Sequence, residues 1–143
     1  MRLPLWPLVC VALSGCAACG PPVITGEVRL AVDVDPNTFA TLEMRGYATL
    51  DPETLPPDLE PAYTDSIPIA DVKRFPYEFV LEEQRTSGFT VFLHAWLARD
   101  ANGPIAARAG EPYGKTVVTL CECASEGPAY ASDVVLVIDS IAE

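Results

Sequence analysis

The feature that most constrains the fold of this chain is a period-two alternation of apolar and polar residues. From Gly26 onward, Val28, Leu30, Val32 and Val34 would share one face of a strand, while the residues between them would share the other. No segment of usable length carries the 3.6-residue period of an amphipathic helix. The alternation therefore predicts an all-β chain.

Turn residues divide the alternating segments into strands. Asp35-Pro36-Asn37 ends the first segment, and Asp100-Ala101-Asn102-Gly103 predicts a hairpin because Asn-Gly suits positive φ. The longest connection, 51–61, is rich in proline and acidic residues. The predicted strands are residues 27–34, 41–50, 66–70, 77–82, 89–99, 105–109, 115–121 and 133–138. Closely spaced strands of this kind predict a single antiparallel β-sandwich of about seven to eight strands.

The composition fits one folded domain with an acidic surface. Half of the 143 residues are hydrophobic, which excludes a disordered chain despite the 14 prolines. The formal net charge is −11 at pH 7, and the acidic residues are scattered along the chain. Such a surface disfavours nucleic acid and anionic lipid headgroups as partners, because both carry like charge.

The N-terminal residues carry an export signal. Arg2 is followed by an apolar segment, residues 3–13, that is too short to span a bilayer as a stable helix. Leu13-Ser14-Gly15-Cys16 closes this segment and resembles the bacterial lipobox. The resemblance implies cleavage before Cys16 and acylation of its thiol. By the same resemblance, Ala17 in place of an aspartate implies the outer membrane.

We therefore expect a signal peptide at residues 1–15, a lipidated tether at 16–25 and the β-sandwich domain at 26–143. Acyl chains on Cys16 would anchor the protein to the bilayer, with the domain facing the periplasm. One alternative is cleavage before Cys19, which lacks an aliphatic residue three positions earlier. The other is an ordinary secretory signal with a fortuitous cysteine.

Three cysteines remain once Cys10 has left with the signal and Cys16 carries lipid. Export favours a disulfide, and we expect one that involves Cys121 or Cys123, joined to each other or to Cys19. In an extended strand the Cα atoms of Cys121 and Cys123 would lie about 6.5–7 Å apart, so a direct bridge needs a local turn. The same two sulfurs are the start of a soft-metal site, but no histidine lies near them in sequence. We predict no bound metal.

No pattern in the sequence predicts catalysis. The chain has one histidine, His94, and no Gly-x-Ser-x-Gly nucleophile elbow. Asp33-x-Asp35-x-Asn37 has the opening spacing of a calcium loop, but the glycine and glutamate places of that loop are not filled, so a turn explains the motif better. We expect a protein that is not an enzyme and has no cofactor.

The most unusual face belongs to the predicted strand 89–99. If its odd-numbered residues enter the core, Phe92, His94 and Trp96 line up on the face toward solvent. An exposed aromatic stripe predicts a partner-binding surface. In the alternatives, Phe92 and Trp96 lie in the core or the 51–61 loop covers them.

The order of several segments is similar to that of a known group of proteins. These segments are the lipobox with its short leader, Gly26-Glu27-Val28, Ile67-Pro68-Ile69, Phe75-Pro76-Tyr77-Glu78-Phe79, and the 89–99 strand with its Asn-Gly hairpin. Together they resemble the small lipoproteins related to the β-sandwich pilotins of type III secretion. The resemblance implies an immunoglobulin-like or transthyretin-like sandwich, and some members of that group escort secretin subunits to the outer membrane.

Two functions are expected from these features. The first is a membrane-anchored, non-catalytic lipoprotein that binds an envelope protein or has a structural role in the envelope. The alternative is a periplasmic lipoprotein that binds a small ligand or a metal, through the 51–61 loop or the Cys121 and Cys123 pair.

Overall fold

The computed structural model describes residues 22–48, 60–83, 90–101, 106–122 and 129–143. The predicted signal peptide, Cys16, Cys19, Cys123 and most of the 51–61 loop lie outside these residues. The export signal, the tether and the disulfide therefore stay predictions.

Strands dominate the described part of the chain. They are β1 (Val23–Leu30), β2 (Thr41–Ala48), β3 (Tyr63–Pro68), β4 (Tyr77–Glu82), β5 (Thr90–Ala98), β6 (Pro112–Thr119), β7 (Cys121–Glu122), β8 (Ala129–Ile138) and β9 (Ser140–Ile141). The helices of this part are two single 3-10 turns, Pro36–Thr38 and Ile69–Asp71. The prediction of an all-β chain is confirmed.

The strands form two sheets that pack on one core. One sheet has the order β4-β1-β8-β7, and the other has the order β3-β2-β5-β6-β9. Neighbouring strands are antiparallel except for β1 and β8, which run parallel. Both sheets contribute fully buried apolar side chains, among them Ile24, Val28, Leu42, Leu93 and Leu136. The predicted β-sandwich is confirmed, with one parallel pair that the sequence analysis did not predict.

A bulge adjusts the parallel pair to the twist of its sheet. The register passes from Ile24 opposite Ala131 to Gly26 opposite Val134, so β8 carries one extra residue at this point. Asp133, which lies in the bulge, adopts a φ of 57°. A Cβ at Gly26 would collide with the carbonyl oxygen of Val134, so the close approach of the two backbones needs a glycine here.

The C-terminal segment joins the two sheets. After Ile138 the chain leaves the four-stranded sheet, the amide of Asp139 donates to the carbonyl oxygen of Tyr113 at 3.2 Å, and β9 pairs with β6. A Cβ at Gly114 would meet the carbonyl oxygen of Val137 where β8 passes over β6. This crossing ties the sheets together by backbone contact as well as by the core.

The first strand starts earlier than predicted. Strand β1 begins at Val23, so residues 23–25, which were expected to belong to the tether, are part of the sheet. They pair with β4 on one side, and β8 runs along the other side of the same strand. The strand ends at Leu30, before the Asp35-Pro36-Asn37 turn.

The predicted strand at 105–109 is wrong, because β5 pairs instead with β6. The carboxylate of Glu111 is 1 % exposed and accepts the backbone N–H groups of Arg99 and Arg108, both at 2.7 Å. Because these amides bond to a carboxylate, they are not available for a strand ladder at that point. The chain turns through Gly110, at a φ of 86°, before β6 begins.

Candidate functional site

Strand β5 presents two faces, as the sequence predicted. Its odd-numbered residues from Val91 to Leu97 lie in the core. Phe92, His94 and Trp96 lie on the opposite face of the five-stranded sheet. They are not exposed, however, since their relative accessibilities are 5 %, 7 % and 0 %. The stripe is therefore not exposed. The low accessibility of Phe92 and Trp96 agrees with the alternatives given above, but the 51–61 loop that one of them names as the cover lies mostly outside the described residues.

Side chains from the neighbouring strands explain part of this burial. Trp96 lies between Glu43 of β2 and Tyr113 of β6 in the sheet register, and His94 lies between Arg45 and Lys115. The ring centroids of His94 and Trp96 are 4.8 Å apart, and the guanidinium carbon of Arg45 lies 5.5 Å from the centroid of the Trp96 ring.

Two further aromatic contacts enclose the imidazole. The ring centroid of His94 lies 6.4 Å from that of Phe92 and 5.8 Å from that of Tyr113. The contact with Tyr113 is edge-to-face, which is a favoured arrangement for aromatic rings. Flat rings thus pack side by side along β5 instead of standing in solvent.

A buried ion pair borders the aromatic stripe. Glu43 is 4 % exposed, and its Oε1 lies 3.0 Å from Nη2 of Arg45. The hydroxyl of Ser66 donates to the other carboxylate oxygen of Glu43. Nη1 of Arg45 donates to the carbonyl oxygens of Met44 at 2.8 Å and Asp65 at 3.2 Å. Both charges are therefore compensated by bonds within the sheet, which makes this pair structural.

The electrostatics of the stripe keep the imidazole neutral. Burial lowers the pKa of His94 to about 4, and the positive charges of Lys115 and Arg45 act in the same direction. Within the described residues, His94 Nε2, Trp96 Nε1 and Thr41 Oγ1 are buried without a hydrogen-bond partner. A histidine with so low a pKa is a poor proton carrier near neutral pH.

The remaining predicted site residues give no reactive cluster among the residues described. Within these ranges, no three His, Cys, Asp or Glu side chains are grouped so as to hold a metal ion. The backbone of Cys121 belongs to β7, opposite Tyr130, but the Cys121 side chain, Cys123 and the 51–61 loop lie outside what the structure describes. The small-ligand or metal alternative rests on these positions and has no further support.

The calcium-like spacing at Asp33 to Asn37 forms a turn, as predicted. Oδ1 of Asp35 accepts from the backbone N–H of Asn37 at 3.0 Å and from its side-chain amide at 3.1 Å. The hydroxyl of Thr38 donates to the Asp35 carbonyl oxygen. These bonds cap a single 3-10 turn and account for the motif.

Exposed apolar side chains lie on both sheets. On the five-stranded sheet, Val117 of β6 is 49 % exposed on the same face as Phe92, and Ile141 of β9 is 45 % exposed. Val80 is 62 % exposed and Val135 is 40 % exposed, both on the outer face of the four-stranded sheet. They border a groove of about 460 Å³ whose rim is acidic. The side chains that line the outer part of the groove include Thr25, Glu27, Glu78, Val80, Asp133 and Val135.

The sequence analysis missed this face, although a signal for it was present. In strand β4, Tyr77, Phe79 and Leu81 alternate with Glu78, Val80 and Glu82, and an apolar residue between two glutamates is unusual at outward positions. We call these three outward residues, Glu78, Val80 and Glu82, the β4 edge triplet.

No helix among the described residues is long and apolar enough to cross a membrane. No model of a known protein family matches the chain, and no curated protein and no solved structure matches it either. Inference about the function therefore starts from the structure itself.

Proposed function

We propose that this chain is a membrane-anchored lipoprotein of the bacterial envelope whose non-catalytic β-sandwich binds a protein partner. The observation that carries the partner-binding part is the outer face of the four-stranded sheet, where Val80 and Val135 are exposed beside an acidic groove. Val80 and Val135 line the same groove, so they form a small apolar centre within an acidic rim, and an apolar centre with a polar rim is the anatomy of protein interaction sites. The buried stripe of β5 has a structural role in this proposal.

The lipobox-like residues support the lipid anchor, and the length of the leader limits the distance between the anchor and the sheet. Six residues lie between Cys16 and Val23, where β1 begins, and the seven Cα–Cα steps from Cys16 to Val23 span at most about 25 Å when fully extended. The Val23 end of β1 lies next to Glu82 of β4 in the sheet register. Acylation of Cys16 would therefore hold this end of the four-stranded sheet close to the bilayer.

The acidic balance favours a protein over a lipid surface as the partner. With a net charge of −11, the sandwich is repelled by anionic headgroups, so the attachment comes from acyl chains and the outer face stays available. An outer-membrane address and an escort or structural role are parts of the same proposal.

The anchor is tested by intact mass spectrometry of the protein extracted from membranes of a host that acylates lipoproteins. We expect the chain to begin at Cys16 with an added acyl mass, and Cys16→Ser to lose both that mass and the membrane fraction. Cys19→Ser is the matched control and should keep both. An unacylated wild-type chain would contradict the anchor, and acylation that survives in Cys16→Ser but not in Cys19→Ser would move it to the second cysteine.

The binding face is tested by photocrosslinking in the same cells. A benzophenone amino acid replaces Val80 or Val135 in turn, and the control replaces Val117, which is 49 % exposed on the other sheet. We expect one protein adduct of the same mass from the first two positions and none from the control. Equal adducts at all three positions, or none at any of them, would contradict a specific binding face.

A further inference from the structure

Strand β4 is the edge of the four-stranded sheet. Its one strand neighbour among the described residues is β1, which it pairs from Val28 opposite Tyr77 to Val23 opposite Glu82. A strand at an edge has one row of backbone N–H and C=O groups that no ladder uses. A single hydrogen bond shows which residues of β4 carry that row.

Along β4, amides that point toward β1 alternate with amides that point away from it, and one hydrogen bond fixes which are which. The amide of Glu83 donates to the carbonyl oxygen of Pro22 at 2.9 Å, which continues the β1–β4 register by one pair. In an antiparallel ladder every second pair exchanges hydrogen bonds. Because this register has no shift, the residues that bond to β1 are Tyr77, Phe79 and Leu81.

The free row therefore belongs to the β4 edge triplet. The N–H and C=O groups of Glu78, Val80 and Glu82 point away from β1, and their side chains lie on the outer face of the sheet. All three side chains are exposed. Among the described residues, nothing pairs with these outward backbone groups, and the side chains of the same three residues are exposed, which is the arrangement that accepts an added strand.

The charge of this edge selects the partner. Within the described residues, neither Glu78 nor Glu82 belongs to an ion pair, whereas Glu27 on the adjacent strand is paired with Arg29, whose Nε lies 2.6 Å from the Glu27 carboxylate. Two cations, Lys73 and Arg74, line the depression beyond the Tyr77 end of the strand. Along the triplet itself the pattern is negative, apolar, negative.

A second copy of this chain is a poor occupant of the edge. Pairing two β4 edges would bring glutamates of one copy near glutamates of the other, and like charges opposite each other in a sheet are destabilising. Charged edge residues are a common means of preventing self-association of this kind. The same charges attract a strand of the opposite sign.

We propose that β4 binds an extended, basic segment of the protein partner by β-strand addition, an inference that rests on the proposed protein-binding function. In such a complex the segment places an apolar residue beside Val80 and Lys or Arg residues two positions to either side, beside Glu78 and Glu82. Backbone hydrogen bonds to the free row contribute affinity that does not depend on the sequence of the bound segment. Contacts with the side chains of the β4 edge triplet determine which sequences bind.

The test uses the full chain in nonionic detergent and a fluorescein-labelled peptide, acetyl-Thr-Lys-Thr-Val-Thr-Lys-Thr-amide. Binding is followed by fluorescence anisotropy, and a peptide with Glu in place of both Lys residues is the control. We expect the basic peptide to bind at least tenfold more tightly than the control at low salt, with the difference shrinking as salt rises. The double variant Glu78→Lys, Glu82→Lys should reverse this preference.

A proline substitution separates strand addition from charge attraction alone. Val80→Pro removes an outward N–H while the inward bonds of the neighbouring residues remain, and an edge strand tolerates proline at such a position. We expect Val80→Pro to weaken the basic peptide about tenfold or more, while Val80→Thr, which keeps the N–H, weakens it far less. Thermal melts of both variants serve as the folding control.

Amide hydrogen exchange gives an independent readout that needs no variant. The amides of Glu78, Val80 and Glu82 should exchange quickly in the free protein and slowly with bound peptide, whereas those of Phe79 and Leu81 should be slow in both states. Equal binding by the basic and acidic peptides, or binding that leaves the three amides unprotected, would overturn the proposal. Dimers of the chain that protect the same amides would also overturn it and assign the edge to a second copy.

The photocrosslinks at Val80 and Val135 test the proposed binding face separately from strand addition at β4. A specific adduct in cells combined with unprotected edge amides would remove strand addition and keep the binding face. The absence of adducts together with peptide binding at the edge would remove the proposed cellular role and keep the chemistry of the edge.

Discussion

Replacement of His94 by Phe should remove an acid-sensitive component from the stability of the sandwich. The imidazole is 7 % exposed, lies among aromatic rings and has Arg45 and Lys115 on the neighbouring strands, which together lower its pKa to about 4. In the unfolded chain the same group titrates near 6.5. Between these two values the unfolded state binds a proton that the folded state does not.

The sign and size of the effect follow from this difference. Because the pKa of His94 is lower in the folded state, its contribution is fully present above pH 6.5 and is lost as the pH falls toward about 4. A shift from 6.5 to about 4 corresponds to about 3 kcal/mol of unfolding free energy, of which about 2 kcal/mol is already lost at pH 5. The phenyl ring of His94→Phe does not titrate, so the stability of the variant lacks this pH-dependent component.

The assay is urea unfolding of the wild-type chain and His94→Phe at pH 7.5, 6.5, 5.5 and 5, a range that stays above the sequence isoelectric point of about 4.3. Carboxylates titrate in both proteins, so their contribution largely cancels in the difference between the two curves. The wild type should lose about 2 kcal/mol more than the variant between pH 7.5 and pH 5. Parallel curves would refute the reasoning and mean that the imidazole is solvated in solution.

Three further predictions concern stability. Trp96→Ala should lower the free energy of unfolding by about 3–5 kcal/mol because the indole is fully buried, whereas Val117→Ser on the same sheet face should lower it by under about 1 kcal/mol. Equally small losses for both variants in urea unfolding would mean that Trp96 is exposed. Glu111→Gln should cost about 2 kcal/mol because only one of its two backbone amide donors keeps an acceptor, and hydrogen exchange should find one of those amides less protected. Gly26→Ala should cost about 1–3 kcal/mol by forcing the strands apart at the bulge, and an unchanged denaturation midpoint would argue against that close approach.

The local part of the fold could be predicted from the sequence because it depends on residues close together in the chain. The period-two pattern of β5 assigned Leu93 to the core and His94 to the opposite face, and the structure confirms both. The Asp35-Pro36-Asn37 turn is likewise a local hydrogen-bond pattern. In each case the deciding contacts lie within a few residues of one another.

Burial of Phe92 and Trp96 was one of the alternatives that the sequence left open, but the distant side chains that take part in it could not be predicted. Trp96 is covered because Glu43 and Arg45 arrive from β2, about fifty residues earlier in the chain, with Tyr113 beside it on β6. A period-two pattern states which face a side chain lies on, but it does not state what lies on that face. An aromatic residue at an outward position is therefore no measure of exposure.

The error at 105–109 has the same origin. Asn102 and Gly103 lie outside the described residues, so the turn predicted for them stays a prediction, although β5 and β6 on either side are antiparallel. The position of the returning strand depends on Glu111, whose carboxylate accepts the amides of Arg99 and Arg108. A buried carboxylate with two backbone donors is invisible in a hydropathy pattern, since the residue is counted as a surface charge.

The two sheets differ in how their outward charges are used. On the five-stranded sheet, Glu43 and Arg45 pair with each other and Arg45 lies over the Trp96 ring, so this part of the face contributes to stability, while Val117 on the same face is exposed. On the four-stranded sheet, Glu78 and Glu82 have no ion partner among the described residues, and Val80 between them is exposed.

The exposed face is also the one that the proposed anchor holds near the bilayer. Glu82 pairs with Val23, and the six residues between Cys16 and Val23 keep this end of β4 within about 25 Å of an acylated Cys16. Anionic headgroups would be repelled from that edge, so the apolar and hydrogen-bonding groups of β4 stay uncovered beside the membrane. If the proposed anchor and strand addition both hold, the partner brings positive charge and an extended backbone to the membrane surface, so the two proposals together point to proteins with a basic segment close to the bilayer.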